Sequence, residues 1–418
     1  MKKYFLRDYP TPDKLLKSLK NNFPEFRETN SHVHTPYSFS AFSDMGLMFS
    51  MAKKENISVL GINDFYVADG YDAFYKGSLR YNVFPLFNIE FIGLLKEAQK
   101  NGVRINDPNN PGRIYFSGKG LDYPFNPGWR NRLKINSVVK ETQLQMKEMI
   151  VRLNDLISRI NPSISLSYDN IRSKFTNGLV RERHLARAIR EAAAFNYPDR
   201  DTQLQFIESL YGGRKSDNSA TNSALLENEI RSNLLKNGGA AYVEEKESTF
   251  PDVENLIRII LKAGGIPCYP VLLDNQSGNF TEFESSPEKL HQSLSALKIG
   301  CIELIPGRND ARILRNYVSF FHEKNYLVTF GTEHNTPEMI PLTVSARDSE
   351  KLDDQLKLIA WESTCVIAAH QYLRAQGRQG YVLPDGTSSI DQKKELTLLG
   401  KLVIEFFLQN NKAHEARN

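Results

Sequence analysis

The chain lacks several of the features that mark specialised protein classes. It has only three cysteines in 418 residues, Cys268, Cys301 and Cys365, and none in Cys-x-x-Cys spacing. A disulfide framework is thereby excluded and a reducing compartment favoured. Charge of one sign is also missing: 53 Lys and Arg stand against 49 Asp and Glu, a net +4. A dedicated nucleic-acid binder carries more, or carries it clustered. No apolar run approaches the ~18 residues needed to span a bilayer. The opening Met-Lys-Lys-Tyr-Phe-Leu-Arg-Asp stops its apolar run after three residues, whereas a signal peptide needs roughly 7–15. These absences predict a cytoplasmic chain with neither nucleic acid nor membrane as partner. No repeat or low-complexity tract is present. Hydrophobic residues at 40% and charged residues at 24% are ordinary for a globular protein and exclude disorder as the main state.

The second half parses most readily. Residues 253–263 read as a buried helix, with Pro251 near its start and Gly264-Gly265 at its end. Ile266 to Pro270 reads as a strand. Ser286-Pro287-Glu288 supplies an N-cap, a first-turn proline and a first-turn acid for a helix reaching Leu297. Cys301–Ile305 is the next strand, 310–324 a helix, and Leu327–Phe330 a third strand. Successive helix–strand units with short links predict a parallel sheet, because parallel neighbours need a crossover. The first part has the same grammar: a helix over 44–56, a strand at Val59–Ile62 and another within Val83–Ile89. Between the halves, Met146, Ile150, Leu153, Ile157 and Ile160 form a helical stripe that reads as core. Residues 106–134 are rich in Gly, Pro and Asn and predict a long loop. Trp129 and Trp361 read as structural.

In parallel α/β architectures functional groups stand at the C-terminal ends of strands. Those positions here hold His32 and His34, then Asn63-Asp64, Glu90, Tyr269, Arg308 and Thr332-Glu333-His334. His-x-His on a strand places both imidazoles on one face. Together with carboxylates at neighbouring strand ends, the pattern suits a divalent cation such as Zn or Mn. Two basic features offer an acidic substrate a hold. Arg113 and Lys119 flank or lie within a glycine-rich stretch, Ser117-Gly118-Lys119-Gly120, whose amides could face an anion. Arg183 and His184 lie on a basic helix that otherwise reads as a solvated face.

Several segments carry a family likeness. His32-Val33-His34-Thr35-Pro36-Tyr37-Ser38, Val59-Leu60-Gly61-Ile62-Asn63-Asp64-Phe65 and Phe87-Asn88-Ile89-Glu90 resemble the first three motifs of the PHP (polymerase and histidinol phosphatase) family. Gly264-Gly265-Ile266-Pro267-Cys268-Tyr269-Pro270 resembles its Gly-Gly-x-x-x-x-His-Pro motif, and Phe330-Gly331-Thr332-Glu333-His334 its closing Gly-Ser-Asp-x-His. Val180-Arg181-Glu182-Arg183-His184-Leu185-Ala186 is similar to the Arg-x-His segment of the metal-dependent phosphoesterase branch. The resemblance covers residues ~28 to ~336. It implies a distorted (β/α)7 TIM-like barrel, formed by residues 1–90 and 251–345. A mainly helical insertion, 91–250, would interrupt the barrel, and a helical extension, 346–418, would follow it. It also implies His32, His34, Glu90, Glu333 and His334 as metal ligands. Asp64, at a strand end beside the His-x-His strand, is either their outer partner, accepting an imidazole N–H, or the N-cap of a helix. Tyr269, Arg183, His184, Arg113 and Lys119 become candidates for substrate contact or catalysis. Three departures matter: Phe39, Phe65 and Tyr269 occupy positions where the family places ligands. With those lost, one divalent ion (Zn, Mn or Fe) is expected rather than three.

The expected function is a metal-dependent hydrolase, with a metal-activated water attacking a phosphoester of a small phosphorylated or anionic metabolite. A hydrolase or isomerase acting on a non-phosphate, sugar-type substrate stays open beside it, as does a catalytically silent PHP-like binding protein.

Overall fold

In a computed structural model, residues 5–17, 25–218, 221–275 and 278–415 are described; the opening Met-Lys-Lys-Tyr lies outside them. Seven strands form one sheet in sequence order: β1 (Glu28–Val33), β2 (Ile57–Phe65), β3 (Phe84–Leu94), β4 (Arg113–Lys119), β5 (Ile266–Val271), β6 (Cys301–Leu304) and β7 (Leu327–Phe330). The sheet curls into a nearly closed barrel. β1 meets β7 through a parallel bridge between Val33 and Glu333, with His34 N–H donating to the Glu333 carbonyl at 2.7 Å. Gly331 makes the closure possible, because a Cβ there would lie 2.3 Å from that of His32.

The pairing is parallel except at β4, which runs antiparallel to both β3 and β5. β4 also corrects the loop expected over 106–134. Pro and Gly cluster on either side of residues 113–119 and frame the strand rather than dissolving it. Within it Ile114 and Phe116 are buried. The helix expected around the Met146 stripe begins as early as Trp129 and ends at Ser158, leaving Ile160 outside it and 38% exposed. Trp129 is itself exposed, whereas Trp361 is buried.

The helices elsewhere form where their apolar spacing and caps predict. Asp252 caps Val253–Lys262 by accepting from Asn255 N–H, and Ser286 caps Pro287–Ala296 by accepting from Lys289 N–H. The first of these buries Val253, Leu256, Ile259 and Ile260, a stripe at helical spacing, against the sheet. Among the described residues no helix is long and apolar enough to cross a membrane.

Two further regions frame the barrel. The helix Asp354–Ala375 lies across the N-terminal ends of the strands. Its Ser363 accepts from Val328 N–H, its Gln371 accepts from Phe87 N–H, and its His370 bonds the Gly264 carbonyl. At the opposite end, helices between β4 and β5 build their own apolar core around Met149, Leu153, Leu185, Ile189 and Phe206, so β4 lies in the barrel although the expected barrel segments, 1–90 and 251–345, leave it out. That module is tied to the loop after β1, since Asn177 and Leu179 N–H donate to the Pro36 and Tyr37 carbonyls. The segment leading into the helix Glu182–Asn196 therefore sits over the C-terminal strand ends.

Candidate metal centre

β1 ends by turning His32 and His34 to one side of the sheet, as its period of two requires. Both rings are buried, and their Nε2 atoms lie 3.3 Å apart. Glu90 on β3 brings Oε2 to 3.2 Å from Nε2 of His34 and 3.8 Å from Nε2 of His32. Among the described residues these three offer donor atoms that all lie within 4.8 Å of one another.

The outer nitrogens explain why the inner ones face each other. His32 Nδ1 lies 2.9 Å from Oε2 of Glu303, on β6. In the neutral ring that nitrogen carries the proton and donates to the carboxylate, leaving the Nε2 lone pair inward. Glu303 is held in turn by Ser117 Oγ at 2.6 Å and Lys119 Nζ at 2.5 Å, all of them buried. Burial alone would raise the Glu303 carboxyl, but Lys119 and His32 hold it well below the usual range. Lys119 stays charged for the matching reason: burial works against its ammonium, and Glu303 outweighs it.

His34 is oriented through a relay. Its Nδ1 lies 3.2 Å from Ser38 Oγ, and that hydroxyl donates to Asp64 Oδ1 at 2.8 Å. Asp64 also accepts from the Thr35 backbone N–H at 2.7 Å and the Thr35 hydroxyl at 2.5 Å. The Thr-x-x-Ser run after His34 is thus wrapped around one buried carboxylate. Burial lowers the His34 pKa, reinforced by Arg181 and opposed by Asp64 and Glu333, so its neutral form is favoured.

Two lone pairs and a carboxylate oxygen therefore converge, with the Asn63 amide beside them, its Nδ2 3.0 Å from His32 Nε2. Oε2 of Glu90 is buried and has no hydrogen-bond partner, an arrangement native interiors rarely leave unanswered. Burial, together with the nearby Glu333 and Glu303 and against His32, pushes Glu90 up to about 8. A cation at this point would favour the ionised carboxylate. Two imidazoles and a carboxylate, with their outer nitrogens fixed by carboxylates directly or through a hydroxyl, form the donor set a divalent cation fits.

The other expected site residues are placed as follows. Asp64 does not cap a helix; it lies within β2, 3.9 Å from His34 Nδ1 and joined to it through Ser38. Glu333 follows β7, and its carboxylate forms an ion pair with Arg308. Glu333 and the next residue, His334, both adopt left-handed backbone, with φ of 59° and 55°. That turn carries His334 out of the cluster: Nδ1 meets Thr332 Oγ1 at 2.8 Å, Nε2 meets the Ile340 carbonyl at 2.9 Å, and the ring stacks on Phe42. Both nitrogens are committed, so the ligand role expected for His334 does not fit.

Tyr269 donates its hydroxyl to Glu284 at 2.6 Å, and burial raises its pKa well above the ordinary phenol value. It is a bound phenol, not a phenolate ligand. Lys119 belongs to β4 and to Glu303, and the amide of Gly120 donates to Asn88 Oδ1, so no open anion loop exists there. Arg113 pairs with Glu245 at 2.7 Å and covers the Phe250 ring. His184 accepts the Arg181 N–H at 2.9 Å and so caps its own helix; burial lowers its pKa to about 3. Arg183 bonds Asn228 and stands over Phe39, and burial lowers it to about 9.

Of the three positions that depart from the resembled motifs, Phe65 stacks on His34 at 4.8 Å and also has the Arg181 guanidinium over its ring, 5.1 Å from the centroid. Sequence reasoning missed Glu303, Ser117 and Arg181. For Glu303 a signal was present, a single acid in the apolar run Cys301-Ile302-Glu303-Leu304-Ile305.

No family model matches the chain, and no curated protein matches it by sequence. Solved structures do match by fold. One is a protein from Bifidobacterium adolescentis described as a candidate metal-dependent phosphoesterase, with a TM-score of 0.53 and 13% identity over 80% of this chain and 96% of that one. Another is an amidohydrolase from Chromobacterium violaceum, solved with sulfate and no metal, with a TM-score of 0.51 and 13% identity over 79% of this chain and 96% of that one. At this identity the likeness establishes a shared barrel architecture.

Proposed function

We propose that the chain is a metal-dependent hydrolase of small anionic esters, phosphoesters foremost, working at the ends of β1 and β3. One observation carries the reading: the buried convergence of His32 Nε2, His34 Nε2 and the unpartnered Glu90 Oε2. The phosphoesterase and amidohydrolase among the fold neighbours support the same class.

A divalent cation there supplies a Lewis acid that makes water a better nucleophile near neutral pH and offsets charge gathering on phosphoryl oxygens. The chain's residues do the rest. Glu303 and the Ser38–Asp64 relay hold the two imidazoles with their lone pairs inward. Phe65 walls His34 from bulk water, which strengthens the electrostatics behind it. Arg181, over that ring, offers positive charge to an anionic substrate.

The direct test is a panel of phosphomonoesters, phosphodiesters, lactones and amides, assayed with added Mn or Zn. Phosphoester turnover that vanishes in His32→Ala and His34→Ala supports the proposal. Turnover confined to lactones or amides would select the non-phosphate reading, and none on any substrate would leave a binding protein.

A further inference from the structure

Arg308 ends the short turn Pro306–Arg308 after β6, and its backbone carbonyl is fixed by Arg347. Its side chain is 36% exposed, while that of its partner Glu333 is only 11% exposed. The ion pair thus has an open end and a closed end. The closed end adjoins the centre: the Glu333 N–H and carbonyl bond the backbones of His32 and His34, at 2.9 and 2.7 Å. Its carboxylate also acts electrostatically on both imidazoles. Two consecutive left-handed residues hold this acid in place, a conformation uncommon outside glycine and kept where the surroundings impose it. Yet Glu333 is not among the converging donors, because Arg308 occupies it.

We propose that Arg308 is a displaceable counter-ion. An anionic substrate group draws its guanidinium outward, and the freed Glu333 carboxylate becomes the fourth donor to the cation at His32, His34 and Glu90. The inference rests on the metal reading above and deepens it. Guanidinium pairs with phosphate as readily as with carboxylate, through the same planar fork. A cation at the centre repels Arg308 and attracts Glu333, so cation and anion both favour the opened pair. Binding of each must then tighten the other by the same factor, typically ~5–150-fold for coupled sites.

Mn(II) affinity, read from the free-ion electron paramagnetic resonance signal with and without inorganic phosphate, tests this on the full chain. Phosphate should tighten Mn(II) binding by at least ~5-fold in the wild type. Arg308→Met should bind Mn(II) more tightly than wild type without phosphate and lose most of the phosphate effect. Glu333→Gln, which preserves shape, should lose the effect as well and bind Mn(II) more weakly than Arg308→Met. Full phosphate coupling in Arg308→Met, or none in the wild type, would overturn the inference while leaving the metal reading intact. No Mn(II) binding in either condition would sink both.

Discussion

The two ends of the barrel each bury a histidine arrangement, and they differ in what the ring nitrogens meet. At the N-terminal ends of the strands, His370 bonds the Gly264 carbonyl through Nε2 at 2.6 Å and accepts the Tyr381 N–H on Nδ1 at 2.9 Å. Every polar atom of that ring is spoken for. At the opposite end His32 and His34 each have one nitrogen fixed, and their second nitrogens point at each other and at an unpartnered carboxylate oxygen. Burial is complete in both places, so burial does not distinguish a structural histidine from a ligand. What distinguishes them is the buried carboxylate oxygen of Glu90, which has no hydrogen-bond partner and faces the inward nitrogens.

The sharpest way to break this contrast is removal of a converging ring. His34→Ala should weaken divalent-cation binding by more than ~100-fold, beyond the range typical of an outer partner; calorimetric titration with Zn or Mn checks this. His370→Gln should leave that affinity unchanged.

His370 instead contributes to acid stability, beside His184. Burial depresses its folded pKa to about 4, below the ~6.5 of an unfolded histidine. The neutral ring therefore contributes stability that is fully present above pH ~6.5 and lost as pH falls towards 4, about 3 kcal/mol in all. Thermal unfolding between pH 4 and 7 should be steeply pH-dependent in the wild type and distinctly flatter in His370→Gln. An equal slope in both would show that other groups, His184 among them, dominate the acid limb.

Smaller effects sharpen the account of the outer partners. Glu303→Gln removes the carboxylate that fixes His32 and should cost ~10–100-fold in cation affinity. Asp64→Asn acts one step further away, through Ser38, and should cost no more than ~10-fold. If Asp64→Asn proved the more damaging, the relay to His34 would be the principal support and Glu303 secondary.

Much of this was legible in the sequence. Apolar runs bounded by Gly, Pro and good N-caps located β2, β3 and β5 to β7 and the helices over 44–56, 253–263, 286–297 and 310–324, whereas the helix Tyr71–Tyr81 between β2 and β3 was not foreseen. His-x-His, Asp64 and Glu90 stood out as polar groups at strand ends. β4 was hidden because flanking breakers dominate any window over 106–134, while the strand's own alternation spans only seven residues. Glu303 and Ser117 escaped because functional groups are expected just past strands, whereas these two lie inside β6 and β4 and meet only when the barrel curls. His334 misled through adjacency: two left-handed residues turn it to Ile340, which nothing in the residue order foretells.

The central claim is that His32, His34 and Glu90 hold one cation. Metal analysis of protein purified without chelator tests it most directly. The account predicts close to one equivalent of a divalent transition metal per chain, lost in His34→Ala. Three equivalents, or an equivalent that survives that substitution, would contradict it.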